Sequence, residues 1–202
     1  MKGLIDKNCL SGVMTPVKPG TPTPWCSKLL TTPKENGEPR LVVDLQPLNA
    51  VSQRETHHTP SPWNLVSAIP KNVKKTILDA KDGYHSIPLA PESRPLTAFI
   101  CEWGRYWFLR APQGWTGSGD AYTKRVDEIT ADVEDHVRCI DDACLWKVTV
   151  QENFWHTVKY IDLCGRNGVI FNPSKFVFAV DEADFAGFTV TLDSIKPTLK
   201  MT

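Results

Sequence analysis

Short apolar runs separated by turn-forming residues dominate the first half of the chain. Residues 25–32 and 40–45 are rich in β-prone side chains and flank 33–39, a Pro-bounded segment with Asn-Gly near its centre. A second pair of apolar runs, 96–102 and 106–110, is separated by a Gly-containing turn. This pattern predicts two β-hairpins.

Helical spacing of apolar residues is clearest in the second half. Residues 121–133 and 151–166 each place apolar side chains three and four positions apart, which predicts two amphipathic helices. Shorter helices are predicted at 4–10 and at 62–69, the latter with Ser61 as its N-cap. The remaining apolar runs predict strands at 76–80, 169–171, 176–180 and 185–192.

The composition is that of an ordinary globular protein. Lys plus Arg equals Asp plus Glu at 23 each, so no overall basic field recruits nucleic acid, which argues against an autonomous nucleic-acid binder. No run approaches the ~18 apolar residues of a membrane span, and the N-terminus lacks a signal peptide's apolar core. The six cysteines lack zinc-site spacing and predict reduced thiols. We therefore expect a cytoplasmic or nuclear protein, neither secreted nor membrane-bound.

Two adjacent carboxylates, Asp141 and Asp142, interrupt a strand-like run between 138 and 146. Their charges repel, so the pair requires water, a cation or a hydrogen-bonding turn. Asp-Asp is common at hairpin turns, and a metal site would need a third carboxylate. Asp79 ends the strand 76–80 just before a Gly-containing turn, where it is either a turn residue or that third ligand. The residues alone leave both interpretations open.

The order of the predicted elements indicates an α+β fold. The strand that ends at Asp79 is followed by a hairpin, a helix, the hairpin with Asp141 and Asp142, a second helix and a strand. This order matches a split βαβ, ferredoxin-like antiparallel sheet with helices on one face. In that topology the end of the first strand and the turn of the second hairpin can be neighbours at one edge of the sheet. The order therefore permits a cluster of three carboxylates.

Short motifs occur in one order along almost the whole chain. They are Trp25-Cys26-Ser27, Pro33-Lys34-Glu35-Asn36-Gly37, Arg40-Leu41-Val42-Val43-Asp44-Leu45, Leu48-Asn49, Leu78-Asp79-Ala80-Lys81-Asp82-Gly83-Tyr84, Pro112-Gln113-Gly114-Trp115, Cys139-Ile140-Asp141-Asp142, Asn172-Pro173-Ser174-Lys175 and Phe185-Ala186-Gly187-Phe188. Each motif is weak alone, but their order and spacing are specific. On these segments the chain resembles the reverse transcriptases of Ty3/gypsy-like long-terminal-repeat retrotransposons, which are related to retroviral reverse transcriptases.

The resemblance implies the fingers and palm of a right-hand polymerase. Residues 1–75, with a Pro-rich strap near the N-terminus, would form the fingers, and 76–95 the part of the palm with the first catalytic motif. Residues 96–115 would return to the fingers and carry the Gln-Gly motif, and 116–202 would complete the palm with the Asp-Asp hairpin and a primer-grip-like strand. The thumb, connection and ribonuclease H domains are expected to be absent.

The resemblance also implies an activity, RNA- and DNA-directed DNA polymerisation. Asp79, Asp141 and Asp142 would be the catalytic residues and the ligands of two Mg²⁺ ions, with Mn²⁺ as an alternative. Nucleotide addition is a phosphoryl transfer that two such ions assist at about 4 Å separation, and this requires carboxylates from more than one strand. Asp79 and Asp141 are expected to bridge the ions.

Further residues acquire roles only through the resemblance. Lys34 and Arg40 would bind the β and γ phosphates of a deoxynucleotide, the backbone amides of Asp82 and Gly83 would receive its tail, Tyr84 would exclude a 2′-hydroxyl, and Gln113 would contact the nucleotide. Lys175, Phe185 and Gly187 would contact primer or template. The implied partners are an RNA or DNA template with its primer, deoxynucleotides, and the remaining Pol domains or a second subunit.

Some positions depart from the family pattern. Cys139 replaces the Tyr of the usual Tyr-x-Asp-Asp box and removes an aromatic surface near the primer end.

The alternative function is a truncated or host-adopted, non-catalytic relic that serves as a nucleic-acid-binding or assembly module.

Overall fold

The computed structural model describes residues 1–33, 37 and 39–198. Its α-helices are α1 (Lys2–Leu10), α2 (Gln46–Val51), α3 (Pro62–Ser67), α4 (Thr116–Thr130) and α5 (Val150–Arg166). Its strands are β1 (Met14–Pro16), β2 (Ser27–Pro33), β3 (Pro39–Val43), β4 (Lys74–Asp79), β5 (Phe99–Cys101), β6 (Gly104–Phe108), β7 (His136–Cys139), β8 (Asp142–Lys147), β9 (Val177–Val180), β10 (Ala183–Phe185), β11 (Phe188–Val190) and β12 (Ile195–Pro197). All six cysteines have free thiols. Within this described part of the chain, no helix is long and apolar enough to cross a membrane.

Packing divides the chain into two units, each described here by itself. The first comprises Met1–Thr56 and Tyr84–Tyr122, and the second comprises His57–Gly83 and the chain from Thr123 onward. The sequence analysis places residues 57–75 in the predicted fingers, 1–75. In the structure, α3 packs against β7 and shares a core with β4 of the second unit. The assignment of these units to fingers and palm stays a prediction.

The first unit is built around a sheet with the strand order β1-β6-β5-β2-β3. Strands β2 and β3 pair antiparallel with Thr32 opposite Arg40, which confirms the first predicted hairpin. Strands β5 and β6 pair antiparallel and confirm the second. One face of this unit buries a core of Ile5, Val13, Met14, Val43, Leu45, Leu48, Phe99, Tyr106 and Phe108.

The second hairpin begins later than predicted. Residues Pro91–Thr97 form a 3₁₀ helix, and β5 covers only Phe99–Cys101. Pro95 has no amide hydrogen to donate to a sheet. In addition, the Thr97 hydroxyl accepts the amide hydrogen of Phe108 at 3.0 Å, which holds this turn against β6. The prolines therefore shorten a strand that the apolar pattern alone extends to residue 96.

The second unit contains the antiparallel sheet β7-β8-β4-β9. With α4 between β4 and β7, and α5 between β8 and β9, this is the predicted split βαβ topology. Helix α5 packs on one face, where the Thr76 hydroxyl donates to Asn153 Oδ1 at 2.5 Å. Successive strand residues point to opposite faces. Ile77 accordingly packs on the other face, with α3, β10 and β11.

The C-terminal segment folds as a separate small sheet with the order β10-β11-β12. The apolar run 185–192 predicts one strand, but Ala186 (φ 51°) and Gly187 (φ 82°) form a tight turn between β10 and β11. Positive φ at both central residues is typical of a two-residue hairpin loop. The predicted strand 169–171 is reduced to a single bridge between Phe171 and Ala80.

Helix α4 begins at Thr116, five residues before the predicted start at 121. The start is hard to predict because residues 114–119 are rich in glycine, and tertiary contacts hold this segment in place. The Thr116 amide donates to Asn49 Oδ1 at 3.0 Å, and the Ser118 hydroxyl donates to the Pro112 carbonyl at 2.6 Å. Gly117 lies under the Trp115 ring, which a Cβ atom would approach to 2.7 Å. A side chain from a distant segment therefore supplies the N-terminal bond that the local sequence lacks.

Candidate functional site

Asp79 and Asp142 lie directly opposite each other on the central strands of the second unit. They are the last residue of β4 and the first residue of β8, and they are register partners in this antiparallel pair. Cross-strand partners have Cβ atoms about 4.5–5.5 Å apart and point to the same face. The Ala80 amide donates to the Asp141 carbonyl at 2.7 Å, so Asp141 lies at the same strand end. The structure thus brings the three predicted carboxylates together.

Asp141 occupies the turn between β7 and β8. The preceding residue, Ile140, has φ 55°, a left-handed conformation that a β-branched residue rarely adopts. Asp141 Oδ1 is buried and has no hydrogen-bond partner among the described residues. An orphaned carboxylate oxygen in a polar cluster indicates a site for a cation or an ordered water.

The carboxylates are electrostatically coupled. Burial, followed by the charge of Asp79, raises the pKa of Asp142 to about 6, and Lys175 opposes this shift. Burial and Asp79 also raise the pKa of Asp141, against the opposing charges of Arg138 and Lys175. Like charges that share a half-buried site have this effect on each other. The cluster therefore needs a cation to be stable in its fully ionised form.

Lys175 supplies a positive charge to this cluster. Its Nζ lies 2.7 Å from Asp79 Oδ2, and the Asp79 hydrogen bond raises the pKa of Lys175. The loop that carries Lys175 is tied to the same strand end, because the Asn172 amide donates to the Asp79 carbonyl at 2.8 Å. Lys175, predicted to contact primer or template, thus lies beside the carboxylates.

The chemistry of the three aspartates fits a divalent cation. Carboxylate oxygens are the ligands that Mg²⁺ prefers, and Asp141 Oδ1 has no hydrogen-bond partner in the described part of the chain. Among residues 1–33, 37 and 39–198, however, no group of three His, Cys, Asp or Glu side chains is already arranged to hold an ion. Asp79 is instead paired with the Lys175 ammonium. The three carboxylates that could bind a cation are therefore present, and the Lys175 ammonium contacts one of them, Asp79.

The predicted phosphate-binding turn directly follows β4. Asp82 has φ 51°, and Gly83 is buried at the start of the 3₁₀ helix Gly83–Ser86. The Lys81 amide donates to the Ile170 carbonyl at 2.8 Å and anchors the turn. Asp82 also contributes to the raised pKa of Asp141, which places its charge near the cluster.

The other predicted nucleotide-binding residues belong to the first unit. Arg40 is exposed on β3, and Gln113 is exposed in the turn that precedes Gly114 (φ 95°). Tyr84 is half-buried and packs edge-on against Tyr122, with ring centroids 5.9 Å apart. Lys34 lies outside the described residues.

Of the two predicted primer-grip residues, Phe185 contributes packing rather than an accessible surface. Its side chain is 3% exposed and lies in the core of the second unit. Gly187 is half-buried in the turn beyond it. A nucleic-acid contact from the Phe185 ring is therefore not available in this structure.

Two supporting residues have no role in the sequence analysis. Asn49 donates to the Gly114 carbonyl at 2.8 Å and accepts from the Thr116 amide, which clamps the loop that carries Gln113. Arg138, on β7, donates to the Ile140 carbonyl at 2.9 Å. The only sequence signal for Arg138 is a charged residue within a predicted strand, and for Asn49 its place in a family motif.

Comparisons with known proteins agree with this fold. The family model described as reverse transcriptase (RNA-dependent DNA polymerase) matches residues 32–190. The chain is 27% identical to the Pro-Pol polyprotein of Simian foamy virus type 1 over 79% of its length, and 27% identical over 95% of its length to a retrovirus-related Pol polyprotein from transposon opus of Drosophila melanogaster. It is 24% identical to polyprotein P3 of Commelina yellow mottle virus over 83% of its length.

Solved structures show the same fold. The foamy viral protease-reverse transcriptase in complex with double-stranded DNA superposes with a TM-score of 0.90 at 22% identity, covering 98% of this chain and 34% of that one. The complex of that protein with an RNA/DNA hybrid gives 0.87 at 22% identity, with 98% and 26% covered. The chain spans only 14% and 19% of the foamy virus and transposon polyproteins, and 9% of polyprotein P3. The family model nevertheless covers most of the chain, which therefore belongs to the reverse transcriptase (RNA-dependent DNA polymerase) family.

Proposed function

We propose that this chain is the fingers and palm part of an RNA- and DNA-directed DNA polymerase that adds deoxynucleotides to a primer 3′ end. The observation that carries the proposal is the register of Asp79 against Asp142. At the same strand end lies Asp141 Oδ1, which no other described residue contacts by a hydrogen bond. Adjacent strands of one sheet hold Asp79 and Asp142, and the turn that opens β8 holds Asp141. Placement on a sheet favours precise positioning of ligands.

Asp79, Asp141 and Asp142 would hold Mg²⁺, or Mn²⁺ in its place. When bound, the two ions supply activation of the attacking hydroxyl and neutralisation of the leaving pyrophosphate. The carboxylates must be ionised for this role, and the raised pKa values of Asp141 and Asp142 make binding weaker at low pH. In the metal-free chain the Lys175 ammonium partly neutralises Asp79.

The nucleotide-binding roles follow the resemblance. Lys34 and Arg40 would bind the β and γ phosphates by charge-assisted hydrogen bonds. The amides of Asp82 and Gly83 would receive the triphosphate tail, a role that the positive φ of Asp82 supports because such turns aim backbone amides at anions. Tyr84 would exclude a 2′-hydroxyl by the bulk of its ring, and Gln113 would contact the nucleotide from the loop that Asn49 clamps.

The proposed partners are a template with its primer, deoxynucleotides, and the remaining Pol domains or a second subunit. The foamy viral protease-reverse transcriptase is in complex with double-stranded DNA in one solved structure and with an RNA/DNA hybrid in another. The short span of the chain against its polyprotein relatives supports further domains. A Ty3/gypsy-like origin, with function in a cytoplasmic virus-like particle or the nucleus, is part of this proposal and is supported by the transposon relative and the ordered motifs.

Primer extension on poly(rA)/oligo(dT) with Mg²⁺ or Mn²⁺ tests the activity. We expect extension by the wild-type chain, loss in Asp141→Asn, and no change in Asp162→Asn, an exposed aspartate of α5 that pairs only with a neighbouring arginine in the ion pairs described. Extension that persists in Asp141→Asn would contradict the catalytic assignment. Template binding without any extension would favour the alternative function, a non-catalytic nucleic-acid-binding module. This alternative is worth testing because Asp79 already pairs with the Lys175 ammonium.

A further inference from the structure

Arg138 is a buried arginine next to the carboxylate cluster, with its side chain only 5% exposed. Its Nη1 donates to the Ile140 carbonyl at 2.9 Å, across the turn between β7 and β8. Its Nε and Nη2 donate to Asp127 Oδ1 at 3.2 and 3.0 Å, and Nη2 also donates to the Thr123 carbonyl at 3.3 Å. One guanidinium thus joins helix α4 to the turn that carries Asp141.

The acidic partner of Arg138 is itself held in place. Asp127 uses one oxygen for Arg138, and its other oxygen, Oδ2, lies 2.8 Å from His57 Nε2. A buried guanidinium needs such pairing, because an uncompensated charge would be costly to bury. The planar fork of arginine also fixes the direction of each hydrogen bond, which a lysine ammonium does not do.

The hydrogen bond from Arg138 reaches the carbonyl of Ile140, a turn residue in a disfavoured backbone conformation. Ile140 has φ 55°, and a β-branched side chain disfavours that conformation. Its carbonyl belongs to the same rigid peptide plane as the Asp141 amide and Cα. A hydrogen bond that fixes this carbonyl therefore fixes the N–Cα bond of Asp141. The Ala80 amide holds the Asp141 carbonyl at 2.7 Å, so the backbone is held on both sides of the Asp141 side chain.

We propose that Arg138 is a positioning residue that acts through Ile140: clamped by Asp127, it holds the left-handed turn that aims the Asp141 carboxylate at the metal site. The proposal rests on the proposed function in taking Asp141 as a metal ligand. Arg138 contacts the backbone of the turn and is not itself assigned to the reacting groups. Its positive charge also favours the ionised form of Asp141.

The first test compares Arg138→Gln, Arg138→Lys and the control Arg125→Gln. Arg125, on helix α4, also donates a hydrogen bond to a backbone carbonyl, that of Asn167 at 2.7 Å, but it lies away from the turn that carries Asp141. Displacement of a catalytic group by about 1 Å costs about 100-fold in rate, so we expect kcat to fall by about 10- to 100-fold in Arg138→Gln. The nucleotide KM should change little, because the binding residues are elsewhere. Arg138→Lys should be intermediate, and Arg125→Gln should match wild type.

The second test asks whether the turn conformation carries the effect. Glycine adopts positive φ without a Cβ penalty, so Ile140→Gly should partly restore kcat in the Arg138→Gln background. Ile140→Ala keeps the Cβ atom and should not restore it. If the role of Arg138 is purely structural, Arg138→Gln should be less stable in urea, and neither Ile140→Gly nor Ile140→Ala should restore kcat.

Two readouts do not depend on catalysis. Mn²⁺ affinity, measured by electron paramagnetic resonance, should weaken in Arg138→Gln, and the ¹³C chemical shifts of Ile140 should lose their left-handed signature. If the wild type extends no primer, the proposed function fails while these readouts still decide the positioning role. If Arg138→Gln does not fold, Asp127→Asn replaces it, since it removes the clamp and keeps the guanidinium. Unchanged Mn²⁺ affinity and unchanged Ile140 shifts in a folded variant would overturn the proposal, as would an equal loss of kcat in Arg125→Gln.

Discussion

Lys175 Nζ lies 2.7 Å from Asp79 Oδ2, so a lysine from the loop before β9 neutralises the strand-end carboxylate of β4. Asp79 is the member of the cluster whose side chain faces Asp142 across the sheet, and Lys175 is 61% exposed at its side chain. An exposed ammonium is easily displaced, because surface ion pairs contribute only about 0–1 kcal/mol. The pair therefore lowers the repulsion within the cluster without closing it to a divalent cation.

Removal of this ammonium should strengthen metal binding. In Lys175→Met we expect the pKa of Asp142 to rise above about 6, because Lys175 lowers it in the wild type. Mn²⁺ affinity at neutral pH should increase by about fivefold, since a competing surface charge is worth about 1 kcal/mol. Carboxyl ¹³C titration and Mn²⁺ binding measure the two effects. Lys196→Met, which removes an exposed lysine of β12, is the control, and an equal change there would refute a specific role.

The raised pKa of Asp142 makes stability depend on pH in a defined direction. Its folded-state pKa is about 6, against an ordinary value of 3.8, so the folded state binds the proton more tightly than the unfolded state. This contribution is fully present below about pH 3.8 and is lost as pH rises through about 6. After allowance for solvent screening of a half-exposed group, we expect the loss to be about 1 kcal/mol. Urea unfolding between pH 4 and 7 should show this decrease for wild type relative to Asp142→Asn, and parallel curves would contradict it.

Phe185 should matter for stability and not for a direct contact with primer. Truncation of a buried phenylalanine costs about 3–5 kcal/mol, so Phe185→Ala should lower the free energy of unfolding by an amount in this range. Ile100→Ala, at a side chain that is 53% exposed in the first unit, should change it far less. Urea denaturation measures both. A Phe185→Ala variant with wild-type stability and weakened primer binding would contradict this expectation.

Loss of the Asn49 clamp should loosen the loop that carries Gln113. Asn49→Ala removes the bonds to Gly114 and Thr116, each worth about 1 kcal/mol. We expect faster hydrogen exchange at the Thr116 amide and, if Gln113 contacts the nucleotide as proposed, a higher nucleotide KM. Asn64→Ala, at an exposed position of α3, is the control. Unchanged exchange at Thr116 would show that the clamp does not hold the loop.

Tyr84 offers a test of sugar discrimination. If the ring excludes a 2′-hydroxyl by its bulk, Tyr84→Ala should incorporate ribonucleotides, whereas Tyr84→Phe should discriminate as wild type does because the ring remains. The ratio of kcat/KM for deoxynucleotides and ribonucleotides measures the effect. Equal discrimination by Tyr84→Ala and wild type would remove this role from Tyr84.

Much of the fold follows from local pattern. Apolar runs and helical spacing predict β2, β3, β4, the β7–β8 hairpin and α5, because turn or cap residues mark where these elements end. The errors have different causes. Asn49, distant in the sequence, starts α4 early. Pro95 and the hydrogen bond from Phe108 to Thr97 delay β5, and two positive φ values break the predicted strand after Phe185.

By itself, the sequence determined that Asp79, Asp141 and Asp142 could meet, because the split βαβ order places the end of one strand beside the turn of the next hairpin. Only the tertiary structure decided what surrounds them. Lys175 lies 96 positions from Asp79 in the chain, and Arg138 reaches Asp127 on another element. These contacts are set by packing between separate elements, so no local pattern encodes them, and they determine the charge and the turn geometry at the carboxylates.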